Sequence, residues 1–333
     1  MSIMRAKNSG YLAIVLIVIS SLQGCNEGNT IKTTVQRFEK DLFVTFGDSD
    51  STYVSNLKNK YHDFFPLFCT DIIRIGPDTA RSALVQLRQF KNDPVVKQVS
   101  EMADSVYGNF NPYSEKIRAG IKRFGEKTGT TGNIEIITFI GGFNQSFIAL
   151  PGTLAVGIDN YLGAETGFYK QLAIPRYLRQ NMDPEYLAAD AVRAWITSEL
   201  ARPGGNSTLL ENMIYEGMVL YYLKNSLPRL EEHKIFRYTQ QQLEWCEQFE
   251  KSMWRYILEN ELLYSTDRMI ISRMTKEGPF VREFGQDSPG RAGSWLGYRI
   301  FENYMKKAGK KTNWPLEIED SRKVLSESRY RPG

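Results

Sequence analysis

Hydrophobic and polar positions follow three different patterns along this chain, and each predicts a different kind of segment. An apolar run, Tyr11 to Leu22, interrupted by Ser20 and Ser21, follows Arg5 and Lys7 at the N-terminus. From Thr34 the spacing becomes helical, with Val35, Phe38, Leu42 and Phe43 on one face of a 3.6-residue period. A second helix is expected from Ser51 to Tyr61, packing through Tyr53, Val54, Leu57 and Tyr61. Asp78 to Arg88 reads as a capped helix. Asp93 and Pro94 form an N-cap and first-turn pair ahead of Val95, Val96, Val99 and Met102. Tyr113 to Phe124 predicts one more helix, stopped by Gly125. The middle of the chain then turns β-branched. Asn133–Ile140, Gln145–Leu150 and Thr153–Asp159 read as strands separated by Gly141-Gly142 and Pro151-Gly152, which suits a small, mainly antiparallel sheet. After Asp159 the helical period returns. Asp183-Pro184-Glu185 caps a helix to Leu200, Arg202-Pro203-Gly204-Gly205 breaks it, and Leu209 to Leu223 forms the next. One long helix is expected over Glu231–Asn260 and a last one over Ser294–Lys306. The pattern predicts one α+β domain, mostly α, with no repeats and no linker.

The N-terminal run changes the picture of where the domain sits. Basic residues, a short apolar stretch and small residues before a cut are the marks of a secretory signal. The run is shorter than the ~20 residues of a membrane span. Leu22-Gln23-Gly24-Cys25 closes it and resembles the lipobox of bacterial lipoproteins, which implies cleavage between Gly24 and Cys25 and acylation of the Cys25 thiol. The chain therefore divides into a signal peptide (1–24), a polar lipid-proximal tether (25–33) and a domain (34–333), with the bilayer as partner through Cys25.

Composition narrows the chemistry. Apolar residues make up 42% and charged residues 24%, so a large core is affordable. The net charge is +4, and Arg5 and Lys7 carry half of it, leaving the domain near neutral and without an electrostatic footprint for nucleic acid. Cys69 and Cys246 sit in apolar surroundings and read as small buried hydrophobes. An oxidising compartment permits a disulfide between them, but their spacing does not argue for one. Only two histidines occur, His62 and His233, and neither lies in a His-Glu-x-x-His arrangement, the spacing that brings two imidazoles to one face of a helix to grip zinc. There is no Gly-x-Ser-x-Gly elbow and no phosphate-binding glycine loop. No metal and no cofactor is expected. Carboxylates remain. Glu216 precedes Gly217 inside a helix, where glycine costs ~1 kcal/mol relative to alanine, so Gly217 points to close backbone packing and Glu216 is the candidate for a site. Asp190, Glu199 and Glu211 are its candidate neighbours. The aromatic residues of the second half, Trp295 and Tyr298 among them, suit a core or an aromatic-lined groove.

Four segments together, Leu22–Cys25, Ile140–Asn144, Met213–Tyr222 and Pro289–Ile300, resemble the GldB family, gliding-motility lipoproteins of the Bacteroidetes. The likeness runs from Cys25 to Tyr330. It implies a cell-envelope lipoprotein needed for surface gliding, tied to the secretion machinery of gliding cells and without known enzymatic activity. The order helix, Pro/Gly break, helix with Glu-Gly is more distantly similar to zinc peptidases of the gluzincin type. Only Glu216 matches a metal ligand of those enzymes. The helix before it offers Asp190, Arg193, Trp195, Thr197 and Glu199 where two histidines should stand. That implies a degenerate zincin-like scaffold that acts through protein contacts, with Glu216, Gly217, Trp295 and Tyr298 as a vestigial groove. The rival expectation is an envelope hydrolase acting on peptide or glycan, using a carboxylate pair around Glu216 with Tyr298 or Arg299. A small ligand in the groove is the third.

Overall fold

The computed structural model describes residues 33–44, 50–77, 81–130, 132–309 and 314–333. The signal segment, Gly24, Cys25, most of the tether and Asp78 lie outside them. The order of elements is β1 (Thr33–Arg37), α1 (Phe38–Phe43), α2 (Asp50–Tyr61), α3 (Phe64–Leu67), α4 (Arg81–Asn92), α5 (Pro94–Tyr107), α6 (Asn111–Thr128), β2 (Ile134–Phe139), β3 (Phe147–Leu150) and β4 (Thr153–Gly157). It continues with α7 (Gly167–Gln171), α8 (Arg176–Arg179), α9 (Pro184–Glu199), α10 (Leu209–Ser226), α11 (Glu232–Phe236), α12 (Gln240–Glu259), α13 (Arg268–Thr275), α14 (Ala292–Lys307) and α15 (Ser321–Ser328). The fold is α+β and mostly α.

Local chemistry accounts for many boundaries. The Asp93 carboxylate accepts from the N–H groups of Val95 and Val96 at 2.8 and 3.1 Å, and Pro94 follows in the first turn of α5. Helix α6 runs past Gly125, which is buried inside it, and stops at Gly129, whose φ of +79° only glycine adopts at low cost.

The helix expected from Thr34 does not begin there. Thr33–Arg37 is a strand, and Val35 is exposed on it rather than part of a buried stripe. Pairing decides the matter: β1 lies parallel to β2, with Val35 opposite Ile136. The helix starts at Phe38. At this junction Arg37 pairs with the buried Glu39 and donates to the Tyr107 carbonyl, while Thr138 Oγ1 donates to Glu39 at 2.7 Å.

The sheet order is β1-β2-β4-β3. Pairs β1/β2 and β2/β4 are parallel and only β3/β4 is antiparallel, so the mainly antiparallel expectation is corrected. The first parallel pair spans helices α1 to α6. The second arises because β3 doubles back through the Pro151-Gly152 turn, which seats β4 between β2 and β3. The sheet separates two cores. Ile137, Phe139 and Ala155 face a small aromatic core built on Phe38, whose ring lies 4.7–5.2 Å from those of Tyr61, Phe64 and Phe68. Ile134, Ile136, Leu154 and Val156 face the large helical core of α6, α9, α10 and α14. Cys69 lies in the first and Cys246 in the second, so no disulfide joins them.

Gly141-Gly142 is a structural turn beyond β2. The fully buried Asp159 carboxylate accepts from the N–H groups of Gly141 and Phe143 at 3.0 and 2.8 Å. Burial outweighs these bonds and pushes the Asp159 carboxyl up to about 6. The folded chain therefore keeps a proton that the unfolded chain has lost between pH about 4 and about 6. This contribution to stability falls as pH rises through that window and is level above it. In urea titrations from pH 4 to 7, the Asp159→Asn chain should lack this fall. An identical slope in both chains would show that Asp159 is ionised throughout.

Candidate functional site

Helix α9 places the site. Asp183 caps it by accepting from Glu185 N–H at 3.2 Å. Leu187, Ala191 and Val192 are buried in the large core. A second stripe, Asp190, Arg193, Ala194, Thr197 and Ser198, follows the helical period and lines a cavity of about 730 Å³. The facing wall is β3, through Ser146, Phe147 and Ala149, with Asn160 and Tyr161 beside it. Ile174, Leu178 and Met182 close one flank, and Arg202 and Arg237 complete the lining. Three guanidiniums thus line this space with a single carboxylate.

Asp190, almost fully buried, accepts from Tyr161 Oη at 2.9 Å and stands 3.6 Å from Arg237 and 3.8 Å from Arg193. A ladder of alternating charge continues away from the cavity. Arg237 reaches Glu277 at 3.6 Å, Glu277 reaches Arg291 at 3.2 Å, and Arg291 reaches Glu216 at 3.6 Å, where Lys276 adds a second cation at 3.3 Å. Burial works against charge in Arg193, Arg237 and Glu277, and the neighbours decide the outcome. Burial and the nearby Arg291 push the Arg193 guanidinium down to about 10. Arg237 is raised despite its burial because Asp190 and Glu277 hold its proton. Glu277 is held below the usual carboxylate range against its burial by Arg291 and Arg237. Behind the cavity wall, the buried atoms Asp190 Oδ1, Arg193 Nε and Arg237 Nε have no hydrogen-bond partner among the described residues.

The structure scatters the carboxylates that the sequence grouped around Glu216. Glu211 closes a capping box at the start of α10, accepting from Thr208 N–H at 2.6 Å and Oγ1 at 2.7 Å. Glu199 opens on a different cavity, beside Trp195. Asp190 is separated from Glu216 by the ion-pair ladder. Trp295 and Tyr298 are buried in the helical core and do not line the cleft. Tyr298 donates to Glu302 at 2.7 Å and accepts from Lys224 at 2.9 Å. Arg299 pairs with Glu250 at 3.1 Å, away from Glu216. His62 is exposed, and His233 lies 3.5 Å from Glu231 on α11. Among the described residues no three His, Cys, Asp or Glu side chains converge as metal ligands.

Gly217 has a clear structural role. A Cβ there would lie 2.2 Å from the Gly297 carbonyl carbon, and a Cβ on Gly297 would lie 1.8 Å from the Met213 carbonyl oxygen. Helices α10 and α14 cross backbone to backbone at this pair, and theirs is the most extensive helix–helix contact of the fold.

Arg237 was missed because one helix was expected over Glu231–Asn260. The chain breaks there: α11 ends, Arg237 takes φ +58°, and Thr239 opens α12 with a capping box to Gln242. The Thr239-x-x-Gln242 spacing is the signal that finds this break. Arg291, the residue after Pro289-Gly290, likewise takes φ +60° at the start of α14.

Residues 24–332 match the family described as gliding motility protein GldB. The chain belongs to the GldB family. The match contains the cleft, the charge ladder and the Gly217–Gly297 crossing, and membership gives this GldB-family chain a role in gliding motility. No curated protein and no solved structure matches it. Among the described residues no helix is long and apolar enough to cross a membrane.

Proposed function

We propose that this GldB-family chain is a lipid-anchored envelope protein that serves gliding, and the secretion machinery associated with it, by holding other proteins, without catalysis. It hangs from the membrane through acylated Cys25 with its domain facing the periplasm, delivered there by the secretory signal. The carrying observation is the make-up of the cleft. Where acid–base chemistry needs a free carboxylate or imidazole near its working pKa, α9 presents Arg193 and Thr197 to the cleft, and the one carboxylate of the cleft lining, Asp190, faces two guanidiniums. Glu216 is itself tied to Arg291 and Lys276, and Arg291 stands between it and the next carboxylate of the ladder, Glu277. This pairing supports the non-catalytic reading over a hydrolase built around Glu216.

Anchoring is tested by Cys25→Ala. Acyl chains contribute ~0.8 kcal/mol per buried CH₂, so several chains hold a protein to a membrane where one does not. The variant should move from the membrane to the soluble fraction, and its cells should glide slowly or not at all. Cys25→Ala protein that stays with the membrane in normally gliding cells would contradict the proposal.

A further inference from the structure

We propose that the cleft between β3 and α9 binds an extended peptide segment carrying a carboxylate, the segment adding as a strand to the outer edge of β3 and its carboxylate seating on Arg202, Arg193 and Arg237. This rests on the reading that the protein works through protein contacts, and it names the chemistry of the contact.

Three observations carry it. First, β3 is an edge strand: it pairs with β4 on one side, and no described strand pairs with the other. Ser146 O accepts from Gly157 N–H at 2.8 Å. Antiparallel pairing alternates, so Ile148 and Leu150 spend their main-chain groups on Ala155 and Thr153, while Phe147 and Ala149 direct theirs outward. An unpaired edge of this kind is a template for an added strand, with affinity from main-chain bonds and specificity from side-chain pockets.

Second, Phe147 and Ala149 also line the cavity, so a strand on this edge runs along its mouth. The volume, about 730 Å³, suits several side chains of a short segment.

Third, the charge balance of the lining calls for an anion. Arg193, Arg202 and Arg237 face the space with Asp190 alone among carboxylates. Arg202 is exposed at the rim and makes no ion pair among the described residues. Arg193 and Arg237 are both largely buried and share Asp190, at 3.8 and 3.6 Å. A planar guanidinium is matched by a carboxylate, which two N–H donors engage side by side.

The test uses the full acylated chain in detergent and a displayed library of random heptapeptides. Recovered peptides should share one Asp or Glu position flanked by alternating β-branched or aromatic residues. Binding of a recovered peptide should weaken more than tenfold when its acid is replaced by the amide, and likewise in Arg202→Glu. Ala149→Pro removes an outward N–H while leaving the β4 ladder intact, and it should also cost more than tenfold. Should Ala149→Pro fail to fold, Arg202→Glu, at an exposed position, carries the test alone. A library without an acidic consensus, peptides indifferent to both variants, or displacement of the peptide by equimolar glutarate would overturn the proposal, the last by showing a simple anion site. Gliding of Arg202→Glu cells separates this from the broader reading. Immobile cells with no peptide consensus leave partner-holding intact and sink the strand; peptide binding lost in Arg202→Glu cells that glide normally does the reverse.

Discussion

Gly297→Ala is expected to destabilise the protein more than any other single methyl addition. The new Cβ meets the Met213 carbonyl at 1.8 Å, and backbone cannot swing aside as a flexible side chain does. Helices α10 and α14 must separate, opening the interface that carries Tyr222, Trp295 and Phe301 in the core. Overpacking of this kind costs roughly 3 kcal/mol or more, offset by ~1 kcal/mol of better helix propensity. The net loss of about 2 kcal/mol or more lowers Tm by roughly 5 °C. Gly204→Ala, where an added Cβ meets nothing within 4 Å, should leave Tm unchanged and serves as the control. Equal melting temperatures for Gly297→Ala and the parent chain would mean that the two helices do not cross at this distance.

The second large effect is expected at Asp190. Its carboxylate is the acceptor for Tyr161 and the ion-pair partner of Arg193 and, together with Glu277, of Arg237. Asp190→Ala strands a buried hydroxyl and leaves Arg193 with the Ile235 carbonyl as its one hydrogen-bond partner among the described residues, while Arg237 retains Glu277. Removing one partner of a buried ion pair costs ~3–5 kcal/mol because the remaining charge stays buried. The urea midpoint should fall accordingly. Asp190→Asn keeps an acceptor for Tyr161 and should lose less. Adding Arg193→Met to Asp190→Ala should recover part of the loss, since the uncompensated charge goes with it. Strict additivity of the two changes would show that Asp190 and Arg193 do not interact.

These two sites mark what was and was not legible in the sequence. The Gly217 crossing was legible because glycine inside a strong helix pattern has one common physical reason, close backbone approach. So were the caps of α5 and α9 and the three central strands, each written in a few adjacent residues. Strand β1 was not. Its five residues fit a helical stripe equally well, and only the parallel partner β2, far along the chain, selects the extended form. The parallel order followed from the same gap. The charge ladder was illegible for a related reason: residues 190, 237, 277, 291 and 216 come from five places in the chain, and no local spacing ties them together. Sequence singled out Glu216 and Asp190 but not the arginines between them, and those arginines turn a supposed carboxylate pair into a ladder of alternating charge.

The central claim is that this chain serves gliding by holding rather than cutting. Its most direct measurement is the gliding speed of cells carrying Glu216→Gln, with the melting temperature of the purified variant alongside. Gln keeps the shape and the hydrogen-bonding oxygen toward Lys276 and Arg291, so the account predicts a folded protein and cells that glide at the parent speed. Folded, membrane-bound Glu216→Gln protein in cells that no longer glide would contradict it.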